Sequence, residues 1–387
     1  MHIDKEYLIK LIDKFQEGKA SDDEIRLLVN FYKYCQKTND WPAEIPNKDL
    51  VLKGVLSKVE KGISSSNKND VKTKYLQFSR ILKYAAIIVI LIGLGYFYKQ
   101  GSFSNESINE TQEIVDHNIK TGTDKATLTL GDGTEIVLEK NQNYSDKNAT
   151  SDGEKIIYNA APLKKPKVKI AYHYLTIPRG GQYYLKLSDG TGVWLNSESQ
   201  LKYPIHFVEG ETRRVELVYG EAYFDVSPSS KHKGANFKVY NSAQEIDVLG
   251  TEFNVKAYKD ETHIYTTLVE GKVAISANKE NQTLAPNQQS DLNIETNSIN
   301  ITVVDVYNEI SWKEGLFIFE EKPLKNIMKV LSRWYDMDVI FINKAIEKEE
   351  FNGLLRKDQK IEDILSNIKK FGTIKNYRIN DKKVIIE

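Results

Sequence analysis

The sequence predicts a multidomain chain: a small all-α domain, one transmembrane helix, a mainly-β domain built as a sandwich, barrel or solenoid, and a C-terminal α+β domain with two β-α-β units. Three observations carry this. An uncharged apolar run lies between Tyr84 and Tyr98. The hydrophobic period is helical before that run and becomes two some way after it. From residue 312 onward, strand-like and helix-like patterns alternate.

The segment 81–98 reads ILKYAAIIVILIGLGYFY. As a helix rising about 1.5 Å per residue it reaches about 27 Å, just short of the ~30 Å hydrocarbon core, so Lys83 must snorkel. Aromatic residues at both ends suit the two interfaces, and the run lies too deep in the chain to be a cleaved signal peptide. Lys72, Lys74, Arg80 and Lys83 precede it, whereas beyond Lys99 the next charges are Glu106, Glu110, Glu113 and Asp116. The positive-inside rule then puts the N-terminus in the cytoplasm and the long C-terminal part outside.

Residues 1–70 form the helical domain, with helices expected over 3–62 and a flexible polar link from Gly62 to Asp70. Tyr7, Leu8, Leu11, Ile12 and Phe15 recur at helical spacing up to Gly18. Ser21-Asp22-Asp23-Glu24 is a capping box that opens a second stripe of Ile25, Leu28, Tyr32 and Cys35. Trp41-Pro42 and Pro46 break the chain before a third amphipathic run through Leu50, Val51, Val55, Leu56 and Val59. So small a bundle buries three stripes poorly by itself, which points to a partner that completes its core.

Residues 99–118 are a polar spacer, and 119–308 form the β-rich domain. Thr127 to Leu138 (TLTLGDGTEIVL) and Tyr184 to Leu195 (YLKLSDGTGVWL) repeat one pattern of strand, Asp-Gly turn and strand. One acid per turn offers too few oxygens for calcium, so Asp132 and Asp189 read as turn residues. Strands are expected at 214–219, 222–226, 237–240, 245–249, 253–257, 263–269 and 273–276, separated by turn signals that include Gly250 and Lys259-Asp260. In 312–387 the expected order is strand 317–319, a helix beginning at Pro323, strand 339–342, strand 351–355, helix 361–371, and strands 377–379 and 384–386.

Composition narrows the function mainly by exclusion. The 387 residues carry no net charge, so long-range attraction to nucleic acid is absent. The single cysteine, Cys35, precedes the apolar run, and the part beyond it has no disulfide to rely on. The histidines 2, 117, 173, 206, 232 and 263 never stand three or four residues apart, and no metal site or cofactor is expected. There is no nucleophile elbow, phosphate loop, dinucleotide fingerprint or HExxH, so the chain is not expected to be an ordinary enzyme.

RGGQYYLKLSDGTGVWLNSESQLKYP (Arg179 to Pro204), RVELVYGEAYFDV (Arg214 to Val226), VLGTEFNVKAY (Val248 to Tyr258) and TTLVEGKVAIS (Thr266 to Ser276) closely resemble the FecR family of anti-sigma factors. WKEGLFIF, PLKNIMKVLSRWYD and FNGLLR, from Trp312 onward, resemble the C-terminal domain often joined to it, which is itself similar to the signalling module of secretins and TonB-dependent receptors. The resemblance implies a single-pass inner-membrane regulator with a periplasmic C-terminus. Its cytoplasmic helices would bind an extracytoplasmic-function sigma factor, and its periplasmic part would receive a signal from an outer-membrane TonB-dependent transducer. In that reading Leu8, Leu11, Ile12, Phe15, Ile25, Leu28, Tyr32, Leu52 and Val55 are the sigma-binding candidates, while Arg80, Lys83 and Lys99 flank the membrane.

The family also implies self-cleavage in some members at a Gly-Thr bond, here Gly250-Thr251, by attack of the threonine hydroxyl on the glycine carbonyl. Gly93 and Gly95 would ease unwinding for an intramembrane protease. The alternative reading is a tethered periplasmic glycan-binding protein, with Tyr172, Tyr174, Tyr183, Tyr184 and Trp194 as stacking faces, or an envelope docking protein.

Overall fold

The computed structural model describes residues 119–159, 170–277 and 280–387. The two expected Asp-Gly hairpins are present, with Thr123–Thr129 antiparallel to Glu135–Glu139 and Gly181–Lys186 antiparallel to Gly192–Leu195. In both, the aspartate carboxylate accepts from the N–H of the threonine that follows the glycine: Thr134 to Asp132 at 2.9 Å, Thr191 to Asp189 at 3.0 Å. These are Asx turns, in which the side chain replaces a backbone acceptor.

From these hairpins two sheets lengthen together. One runs through Glu135–Glu139, Thr123–Thr129, Tyr172–Ile177, Ser199–Pro204, the first half of Arg213–Asp225, Phe237–Tyr240, Glu245–Val248, Val273–Ala277 and Glu280–Leu284. The other runs from Tyr144–Ser145 through Ala149–Ser151, Lys155–Tyr158, Gly181–Lys186, Gly192–Leu195, the second half of Arg213–Asp225, Glu252–Ala257, His263–Glu270 and Gln288–Asn293 to Ser298–Val303. Period-two alternation turns Leu128, Leu201, Leu217 and Ile275 of the first sheet and Leu185, Leu195, Phe253 and Leu292 of the second into one shared core. Of the three expected β architectures this is the sandwich, extended hairpin by hairpin.

The separate strands expected at 214–219 and 222–226 are a single 13-residue strand, Arg213–Asp225. It bulges between Leu217 and Tyr219 and passes from one sheet to the other at Gly220, whose φ is +99°. A Cβ there would stand 2.2 Å from Ser199 Oγ, so only glycine lets the strand pivot against its neighbour. Strand Gln288–Asn293 (QQSDLN) is polar and is set by pairing with existing strands, whereas Ser298–Val303 alternates through Ile299, Ile301 and Val303 and pairs with it.

The C-terminal part holds helices α1 (Val306–Ile310), α2 (Leu324–Tyr335) and α3 (Ile361–Lys370). Asp305 caps α1 by accepting from Tyr307 N–H, and Pro323 is the N-cap of α2. The expected faces are inward: Leu324, Ile327, Met328 and Leu331 of α2, and Ile361, Ile364, Leu365 and Ile368 of α3, are buried in a second core. The two strand-helix-strand units exchange partners. Their first strands, Leu316–Pro323 and Glu350–Arg356, pair with each other, while Asp338–Phe341 lies parallel to Lys383–Ile386, which also pairs with Tyr377–Asn380.

The expected fold class requires a correction. The described chain is mostly β with short helices, and neither a small all-α domain nor a transmembrane helix is among its elements. The longest described helix is α2, with 12 residues where a span needs about 20, and no described helix is long and apolar enough to cross a membrane. Residues 1–70 and 81–98, on which those two expectations fall, lie outside the described residues.

Candidate functional site

Three buried charged residues, Glu221, Arg333 and Lys357, lie at the seam between the sandwich and the C-terminal module. A helix ends with unpaired carbonyls, and those of α2 are met by a turn of the sandwich. Arg179 Nη2 donates to Ser332 O at 2.9 Å and also to Met337 O, and Gly180 N–H donates to Arg333 O at 2.7 Å. The head of the RGG motif therefore adds donors to the last turn of a helix far along the chain, whose own C-cap is Asp336.

Arg333, on the last turn of α2, is 4% exposed and points back into the sandwich. It pairs with Asp260 at 2.6 Å, Glu261 at 2.9 Å and Glu198 at 3.3 Å, and its guanidinium carbon lies 3.5 Å from the centre of the Tyr258 ring. Burial works against its charge, but Tyr258, Glu261 and Asp260 outweigh it and raise the pKa. Glu221, also buried, accepts from Asn196 at 2.8 Å and Asn254 at 3.0 Å, and desolvation raises its pKa.

Lys357 is the second buried cation of the seam. Its Nζ sits 3.7 Å from the centre of the Trp334 ring and donates to Gln182 Oε1 at 2.6 Å. Burial pushes this ammonium down to about 7, against the opposing pull of Glu221 and Asp124. Because the folded pKa lies below the unfolded value, the folded state releases its proton first. Stability therefore rises with pH between about 7 and 10, and the full cost of the buried charge stands below pH 7. Lys357→Met is expected to raise the stability of the chain at about pH 6 by on the order of 1–3 kcal/mol and to flatten that slope. Denaturant midpoints measured across the window check both effects.

Gly250 and Thr251 link strand Glu245–Val248 of one sheet to Glu252–Ala257 of the other. Gly250 has φ +151°, and a Cβ on it would lie 2.9 Å from Pro228 Cα. Thr251 is buried; its hydroxyl donates to Lys272 O at 3.1 Å, and its carbonyl accepts from Val226 N–H at 3.1 Å. The hydroxyl thus faces a backbone carbonyl.

The aromatic candidates are engaged with one another and with lysines. Tyr183 is buried against Ser151, with the two hydroxyls 2.8 Å apart. Tyr184 packs on Trp194 at 4.6 Å, and Lys313 lies 4.7 Å above Tyr223, the next ring of the row. Lys202 lies 5.6 Å and 5.8 Å from the Tyr172 and Tyr174 rings. Of these rings Tyr172 stays exposed. The sigma-binding candidates and the flanking Arg80, Lys83 and Lys99 lie outside the described residues. Among the described residues no group of three or more His, Cys, Asp or Glu could hold a metal ion.

Sequence reasoning did not single out Glu198, Glu261, Arg333 or Lys357, and it took Asp260 only as part of a turn. Arg179 stood at the head of a motif, which was the one available signal.

Residues 173–274 match the FecR protein family and residues 316–386 the FecR C-terminal family. The seam lies between them: Arg179, Glu198, Tyr258, Asp260 and Glu261 fall in the first match, Arg333 and Lys357 in the second. Two crystal structures of a candidate anti-sigma factor from Parabacteroides distasonis, at 1.65 Å and 2.50 Å resolution, are similar to this chain at 26% identity and a TM-score of 0.50. The similarity covers 55% and 56% of this chain and 98% of each of theirs. No protein of curated function matches.

Proposed function

The chain belongs to the FecR family of anti-sigma factors, and we propose that it restrains an extracytoplasmic-function sigma factor through residues 1–70 and relays a signal to it from outside the cytoplasm. The observation that carries this reading is the joining of a FecR sandwich to a FecR C-terminal module in one chain, with an anti-sigma candidate as structural neighbour. In this proposal the chain resides at the inner membrane, with the sandwich and the C-terminal module in the periplasm. The signal comes from an outer-membrane TonB-dependent transducer. The glycan-binding alternative draws less support because Tyr183 is buried and Tyr184 and Trp194 pack on each other.

Affinity capture of the full-length chain from its own cells is expected to retain one sigma factor, with capture lost on deletion of residues 1–70. Retention of none would overturn the sigma-factor reading. A phosphatase fused after Glu387 is expected to be active only in the periplasm.

Self-cleavage is a finer proposal of the same kind. Thr251 Oγ would attack the Gly250 carbonyl, the amide nitrogen would leave as an amine, and water would then hydrolyse the ester. The backbone at Gly250, in a region that side-chain-bearing residues rarely enter, supports it. Two fragments on a denaturing gel, and one full-length band for Thr251→Ala, are the expected results; a single band from the unaltered chain excludes cleavage.

A further inference from the structure

The aromatic floor and the carboxylates that hold Arg333 all belong to the sandwich, while Lys329 of α2 joins the rim, 2.8 Å from Asp260 and 4.0 Å from Glu261. Tyr258, whose ring lies under the guanidinium, is fixed by its own hydroxyl, which donates to Ser197 O at 3.2 Å. Glu261 is held in a turn by its N–H to Tyr258 O at 3.2 Å and pairs with Lys256 at 3.4 Å. The other two acids stand at the rim: the side chains of Asp260 and Glu198 are 55% and 41% exposed, against 4% for Arg333. An aromatic floor with carboxylates around its edge is the arrangement that recognises a planar, delocalised cation with a fork of donors, and it distinguishes guanidinium from ammonium.

The remainder of the seam is mainly polar. From the sandwich side only Ile119 and Tyr223 enter the second core as buried members, and the α2 terminus is held by the Arg179 and Gly180 hydrogen bonds. Interfaces of this polar kind between parts of one chain open and close more readily than apolar cores.

We propose that the sandwich carries a preformed guanidinium-binding site, filled in cis by Arg333, and that its occupancy is a releasable latch on the C-terminal module. When the arginine leaves, the module undocks with its own core intact, and an arginine side chain presented by another protein can take the vacant place. The proposal does not depend on the sigma-factor reading.

Hydrogen exchange on the full-length chain tests it. The reporter is Gly180 N–H, whose acceptor is the backbone carbonyl of residue 333 and therefore survives substitution of that side chain. Arg333→Ala is expected to speed exchange at Gly180 at least about tenfold while the amides of Leu217 and Leu331, one in each core, stay protected. Methylguanidinium, added to Arg333→Ala well below denaturing concentrations, is expected to occupy the vacant site and slow exchange at Glu261 N–H, in the pocket's own turn, without restoring Gly180, and methylammonium is not. Arg333→Lys, which keeps the charge and loses the fork, is expected to stay at least about threefold faster than the unaltered chain.

Unchanged exchange at Gly180 in Arg333→Ala would overturn the latch. So would loss of protection in both cores together, because the arginine would then belong to the fold rather than to a releasable contact. Equal slowing at Glu261 by methylammonium would overturn the guanidinium specificity.

Discussion

Arg213→Met is expected to destabilise the sandwich by about 3–5 kcal/mol, the cost of leaving a buried charge without its partner. Arg213 and Asp189 are each 1% exposed at the side chain and lie 2.8 Å apart. The arginine also donates to Ser227 O at 2.9 Å and Ala235 O at 3.1 Å, and its guanidinium lies 5.3 Å from the centre of the Phe237 ring. Asp189 meanwhile takes the N–H and hydroxyl of Thr191, at 3.0 Å and 2.8 Å. One ion pair therefore ties an Asp-Gly hairpin of one sheet to the start of the strand that passes between both. Adding Asp189→Asn to Arg213→Met removes the stranded charge, so the double variant should lose less than the sum of the singles. Denaturant midpoints give all three values; a loss under about 1 kcal/mol for Arg213→Met would mean the pair has little structural weight.

The second large effect is expected at the pivot. Gly220→Ala combines a φ of +99° with a Cβ placed 2.2 Å from Ser199 Oγ and 2.4 Å from Ser199 Cα. Backbone cannot give way as a flexible side-chain tip can, and the expected cost is on the order of 3 kcal/mol or more, or failure to fold. Gly234→Ala is the control, because its φ is +81° and nothing lies within 4 Å of the added carbon. It should cost only about 1 kcal/mol, the conformational share alone. Equal losses at the two positions, read from thermal unfolding, would show that close packing at Gly220 adds nothing.

Local elements were legible in the sequence because their signals are local. Phe237–Tyr240 alternates cleanly and is a strand with those bounds, and Ile361, Ile364, Leu365 and Ile368 recur at helical spacing and are buried together in α3. The Asp-Gly turns carry their own chemistry in one aspartate, one glycine and one threonine. The passage of Arg213–Asp225 between sheets was not legible, since whether a glycine in a strand is a turn or a pivot is decided by the distant Ser199.

The seam was hidden for the same reason. Arg333 stands in α2 among Lys325 and Lys329, where a charge at helical spacing reads as solvated surface, and its partners Glu198, Asp260 and Glu261 belong to other motifs. Lys357 follows a strand and precedes Asp358, a position that looks exposed until Trp334 closes over it. Candidates Leu8 through Val55 rest on helical periodicity alone, because they fall outside the described residues.

The most direct measurement is transcription by core RNA polymerase with the captured sigma factor, with and without the full-length chain in detergent. The account predicts that output falls as the chain is added in stoichiometric amount, and that a chain lacking residues 1–70 leaves it unchanged. Undiminished transcription at saturating chain would contradict the anti-sigma role.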